Sequence, residues 1–116
     1  MSLRFLAELA NKPEKRSNVM SIYIIGPSGS NGIVSCQVGG AGQDAGRAVI
    51  VTALVPCASA VIPASVPVNL PADGTLSPSI NFQCNGASGM ACRVTVVVTS
   101  YSDMQILKRK SQILSL

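Results

Sequence analysis

Ile80-Asn81-Phe82-Gln83-Cys84 is followed by the glycine-rich Asn85-Gly86-Ala87-Ser88-Gly89-Met90-Ala91. After it comes Cys92-Arg93-Val94-Thr95-Val96-Val97-Val98-Thr99. On the first side Ile80, Phe82 and Cys84 alternate with Asn81 and Gln83. On the second, Val94, Val96 and Val98 alternate with Thr95, Val97 and Thr99. A repeat of two residues is the spacing of a strand with one covered face. The stretch 80–99 therefore predicts two strands joined as a hairpin by a long Gly-rich loop. Setting Cys84 opposite Cys92 puts Phe82 opposite Val94 and Ile80 opposite Val96. Every apolar partner then falls on one face, the condition that pins register in a half-buried sheet.

Working outward, the same pattern recurs. Met20, Ile22 and Ile24 alternate with Ser21, Tyr23 and Ile25, and Val34, Cys36 and Val38 alternate with Ser35 and Gln37. Residues 26–32 and 39–46 are Gly-rich and read as turns or loops. Residues 48–55 are apolar except for Thr52, which predicts a central strand buried on both faces. Five prolines (Pro56, Pro63, Pro67, Pro71 and Pro78) restrict the next segment to short or edge strands, with residues 66–70 the best placed. Asp73-Gly74 reads as a tight turn.

The two ends differ from this body. Ser2 is positioned to cap a short helix over residues 3–11, ended by Lys12-Pro13. At the other end Ser102 and Gln105 have the spacing of a capping box. Ile106, Leu107, Ile113 and Leu114 would share the apolar face of a short amphipathic helix, with a final strand as the alternative. The expected fold class is all-β and mainly antiparallel. It is a small single-domain β-sandwich or jelly-roll-like body (residues 19–101), with helical segments at residues 1–18 and 102–116.

Composition agrees with a β body. The chain of 116 residues is 47% hydrophobic but only 3% aromatic, without tryptophan, so Val and Ile fill the core. Charge is the more informative property. Between Val19 and Tyr101 the charged residues are Asp44, Arg47, Asp73 and Arg93 alone. Arg4, Glu8, Lys12, Glu14, Lys15 and Arg16 precede that body; Asp103, Lys108, Arg109 and Lys110 follow it. Ordinary soluble domains are about 25% charged, whereas this chain is 12% charged. So neutral a surface makes physical sense when neighbouring molecules cover much of it.

No set of residues names a chemistry. The chain has no histidine, which removes His-based triads, His metal ligands and the usual base near neutral pH. Asp44 and Asp73 stand apart in turn-rich stretches and form no evident carboxylate pair. Gly40-Ala41-Gly42-Gln43-Asp44-Ala45 has the outline of a dinucleotide fingerprint. The β-branched run Val49-Ile50-Val51-Thr52 follows it where a helix is required. Cys36, Cys57, Cys84 and Cys92 contain no C-x-x-C pair, so the spacing is not that of a zinc site. The four are expected to be reduced core thiols, with Cys84–Cys92 the pair best placed for a disulfide.

The expectation is thus a non-enzymatic structural assembly subunit without cofactor or metal, most concretely a viral coat, vertex or decoration protein. Its partners would be copies of itself or a larger shell protein. Leu3, Leu6, Ile106, Leu107, Ile113 and Leu114 are the candidate docking residues. Lys12, Lys15, Arg16, Lys108, Arg109 and Lys110 are candidates for weak, non-specific contact with nucleic acid or an anionic membrane. Residues 5–10, interrupted by Glu8, are too short an apolar run for a secretory signal. The expected location is a virion or other assembled particle, built from protein made in the cytoplasm. The alternative is a monomeric β-sandwich adhesion or binding module using loops 26–32, 39–46 and 85–91.

Overall fold

The strands predicted within residues 80–99 form, but they are not neighbours. The computed structural model describes residues 21–72 and 75–116. The expected N-terminal helix, the docking residues Leu3 and Leu6, the cations Lys12, Lys15 and Arg16, and the Asp73-Gly74 turn lie outside the described residues. Among those described, the strands are β1 (Ile22–Ser30), β2 (Ile33–Gly40), β3 (Ala48–Leu54), β4 (Ala60–Ile62), β5 (Ser65–Asn69), β6 (Ile80–Asn85), β7 (Ala91–Ser100) and β8 (Ile106–Ser115). They make two four-stranded sheets, in the orders β1-β2-β6-β4 and β5-β3-β7-β8. All recorded pairings are antiparallel.

One hydrophobic cluster draws on both sheets. Val34, Val38 and Phe82 enter from the first, and Val49, Val51, Val94, Val96 and Val98 from the second, all fully buried. The alternation therefore assigns faces correctly. It does not choose partners. Phe82 lies opposite Val34 of β2, and Val94 lies opposite Gln112 of β8. The residues between β6 and β7 cross from one sheet to the other through turns closed by Ala87 N–H to Cys84 O and Met90 N–H to Ala87 O. A strand with one apolar face satisfies it in either sheet of a two-layer core, so the period alone leaves the neighbour open.

The second correction is at the C-terminus, where residues 106–115 are strand β8 rather than a helix. β8 pairs with β7 from Ala91↔Ser115 to Thr99↔Ile106, with one irregularity after Val98. Leu114 and Leu116 are buried, and Leu107 packs against the core. Without β8, β7 would present a long row of unpaired backbone groups beside the core. Satisfying them outweighs a short isolated helix, which is marginal in water.

Two smaller adjustments concern β1 and β3. Residues 26–32 are mostly strand, with a bulge between Ile25 and Ser28; only Asn31-Gly32 turns. Their φ angles of 55° and 75° suit the two-residue type I′ turn that matches strand twist. β3 is an interior strand as predicted, but Leu54 on its outer side is 52% exposed, so only one face is buried. The proline-rich segment contains β4 and β5, both edge strands. Pro67 sits in β5, which pairs only with β3.

Candidate functional site

Folding sorts the charges by sheet. None of the four strands of the first sheet carries a charged residue. The second sheet carries Arg93 on β7 and Lys108, Arg109 and Lys110 on β8. Arg93 lies opposite Ile113, and Arg109 lies opposite Val97, on the outer face of that sheet. Lys110 lies opposite the buried Val96, so it leaves β8 on the inner side. There its Nζ donates to the Ile24 carbonyl of β1 at 3.2 Å. An inward-leaning lysine on an edge strand opposes further strand addition at that flank.

The outer face of the first sheet is built from amides, hydroxyls and isoleucine. Ser35 Oγ donates to Asn81 Oδ1 at 2.6 Å, and Gln83 Nε2 donates to Asn85 Oδ1 at 3.1 Å. Gln37 Nε2 donates to the Ser77 carbonyl at 2.9 Å. Ile33 and Ile62 flank Gln83 on either side, and Ile25 lies opposite Gln37. These three isoleucines are 41–54% exposed. Of the predicted docking residues on β8, Leu107 and Leu114 are consumed by the core, while Ile106 and Ile113 remain exposed on the second sheet.

One charged cluster is structural. Asp44 ends the one-turn 3-10 helix Gly42–Asp44 and is only 3% exposed. Its carboxylate accepts from Arg47 Nη1 at 2.7 Å and from Ser21 Oγ. Gly40 makes room for this turn: a Cβ there would sit 2.7 Å from the Asp44 carbonyl oxygen, a backbone atom that cannot swing aside. The turn leads directly into β3, so the residues with a dinucleotide-like spacing form no strand–turn–helix unit. Asp44→Ala removes the carboxylate that pairs with Arg47 and is expected to destabilise the fold by about 2–3 kcal/mol, read from the urea midpoint.

All four thiols are free. Cys36 is buried on the core side of β2, and desolvation pushes its pKa up to about 11, so it remains a neutral thiol. The other three gather at the opposite end of the core. Cys84 ends the inward row of β6, where burial raises its pKa. Cys92 begins the inward row of β7. The expected Cys84–Cys92 pairing within one sheet is replaced by an arrangement across the two sheets. Cys57 is the residue the sequence did not single out. It follows β3 in the turn closed by Ala58 N–H to Val55 O at 3.1 Å, and the neighbouring Cys92 side chain raises its pKa. Among the described residues, no group of three or more Cys, Asp or Glu side chains is placed to hold a metal ion.

The loops do not converge. The Asn31-Gly32 turn, loop 85–91 and Leu116 meet at one end, tied by Gly32 N–H to Leu116 O (3.1 Å) and Leu116 N–H to Met90 O (2.8 Å). Residues 41–46 lie at the other end, where Ala41 N–H donates to Ser21 O at 2.8 Å. The surface depressions are shallow; one of about 240 Å³ is lined by Ala48, Val49, Pro67, Val68, Asn69 and Tyr101. Among the described residues, no helix is long and apolar enough to cross a membrane. Comparison with protein-family models, curated proteins and solved structures returned no match.

Proposed function

We propose that this chain is a non-enzymatic structural subunit of an assembled particle, such as a coat, vertex or decoration protein of a virion. In this reading, the outer face of the first sheet docks onto a second copy or a larger shell protein. The observation that carries it is the absence of charge from β1, β2, β4 and β6. Burying a charge without a partner is costly, whereas amides and hydroxyls can re-pair across an interface, and isoleucine gains from leaving water. Interface cores are depleted in charge for this reason. The Asn81, Gln83, Ile33 and Ile62 patch has that composition. Arg93 and Arg109 face the other way, on the second sheet, which keeps the particle's other surface soluble or holds it against an anionic layer such as nucleic acid.

The adhesion alternative needs the three Gly-rich loops to act together. Their placement at opposite ends gives it no common site, so the assembly reading is preferred.

Sedimentation of the full chain over rising concentration tests the proposal. Reversible or irreversible association is expected, and a monomer that persists at high concentration would overturn it. The double variant Asn81→Lys/Gln83→Lys adds two charges to the proposed face and is expected to abolish association while its melting curve stays cooperative. Leu54→Lys, on the outer side of the second sheet, should associate like the parent. Equal association by all three proteins would reject the first sheet as the interface.

A further inference from the structure

We infer that the outer face of the first sheet pairs with the same face of a second copy, about a twofold axis that crosses β6 at Phe82 and β2 at Val34. This pairing rests on the assembly reading and gives it a partner and a register. It follows from the amide groups that the sheet leaves unused. Asn81 Oδ1 accepts from Ser35 Oγ at 2.6 Å and from Ser79 Oγ at 3.3 Å. Asn81 Nδ2 is left as a donor with no acceptor among the described residues. Gln83 Nε2 donates to Asn85 Oδ1 at 3.1 Å, which leaves Gln83 Oε1 as an acceptor with no donor among the described residues. Asn81 and Gln83 are both exposed, on one face of β6 and about 7 Å apart. Each copy therefore presents one free donor beside one free acceptor.

Symmetry decides how two such faces meet. In an isologous contact, residue i of one copy meets residue j of the other, and j meets i. An axis lying in the interface and running along β6 would set like over like, Nδ2 against Nδ2 and Oε1 against Oε1. An axis in the same plane but across the strands sets Asn81 Nδ2 of each copy against Gln83 Oε1 of the other. Two hydrogen bonds then form at once, and sheets packed face to face, about 10 Å apart, are within reach of two amide side chains. On β2, Val34 lies opposite Phe82, Ser35 opposite Asn81 and Ile33 opposite Gln83. The same axis thus carries Ile33 of each copy onto Ser35 of the other. Ser28 and Ser35 line two shallow depressions there, of about 260 and 420 Å³. Ile33 leaves water when it settles against them. No strand of the first sheet brings a charge to the contact.

Four strands of nine, eight, six and three residues present about 400 Å² per copy at the spacings of a sheet. Contacts at this low end of the size range are transient, so the pair forms reversibly.

Sedimentation equilibrium of the full chain tests the register. In Asn81→Asp the carboxylate meets the other copy's Gln83 Oε1, and in Gln83→Lys the ammonium meets its Asn81 Nδ2. Each single variant is expected to weaken dimerisation about tenfold or more. The double variant Asn81→Asp/Gln83→Lys places opposite charges across the axis twice. It should regain the parent's association at low salt and lose it as salt is added. All three should keep a cooperative melting curve, because both positions are exposed. A double variant that associates no better than the singles, or singles that dimerise like the parent, would overturn this pairing while the parent's own association leaves the assembly reading standing. A parent that is monomeric at every concentration would overturn both.

Discussion

A chain ending at Asp103 is expected not to fold. The truncation removes β8, whose pairing covers β7 along nearly its whole length. It also removes Leu114 and Leu116, which are 9% and 5% exposed, and Leu107, which packs on the same cluster. The backbone of Leu116 further joins the Asn31-Gly32 turn to the loop before β7. Each buried leucine is worth about 2–5 kcal/mol by comparison with truncation to alanine. A domain of this size has only about 5–15 kcal/mol in total. The loss of three leucines and a strand ladder should therefore exceed what the fold has. Circular dichroism across a urea titration is the measurement, with a flat, non-cooperative curve expected. A cooperative transition in the truncated chain would show that β8 is an accessory strand. Had residues 106–115 formed a separate helix, their loss would leave the β body folded, so the experiment separates the two architectures.

Phe82→Ala is expected to destabilise the protein by about 3–5 kcal/mol, the largest effect of any single substitution proposed for it. Phe82 is fully buried in β6, opposite Val34 and between two sheets whose other inward residues are mostly valine. Valine has a stiff χ1 and a short reach, so the surrounding side chains cannot swing in to fill the space a phenyl ring leaves. The cavity should persist, and with it the lost packing. The shift in the urea midpoint at constant slope gives the value. A change below about 1 kcal/mol would mean that the core collapses around the site.

The readings that succeeded rest on short-range periodicity. Ile80, Phe82 and Cys84 face inward, as do Val94, Val96 and Val98, because a strand presents alternate residues to one side whatever its partner. The C-terminal misreading has a physical origin in the edge position of β8. Lys108, Lys110 and Gln112 lie opposite the inward residues Val98, Val96 and Val94. At a sheet edge that inner side faces the edge strand β1 of the other sheet, where Lys110 reaches the Ile24 carbonyl instead of the core. The apolar alternation is erased there, and Ile106, Leu107, Ile113 and Leu114 are left with a spacing that also fits a helix.

Charge separates what was legible from what was not in the same way. A neutral body is evident from composition, since Asp44, Arg47, Asp73 and Arg93 are its only charges. That the strands of one whole sheet are uncharged follows from which strands share it, and strand order is decided by contacts between residues far apart in the chain. Asp44 illustrates the same limit: its turn was predictable, but its partner Ser21 lies before β1.

From the amino-acid sequence alone come the β class, the inward faces of β2, β6 and β7, the neutral body and the lack of a His-based site. These depend on side-chain type and on a two-residue repeat, both local properties. The tertiary structure alone decides that β6 and β7 belong to different sheets, that residues 106–115 complete the second of them, and that Cys84 and Cys92 therefore stand in different layers. Those outcomes depend on which backbone edges are left unpaired and on how two layers share one core, and neither is visible until distant segments come together.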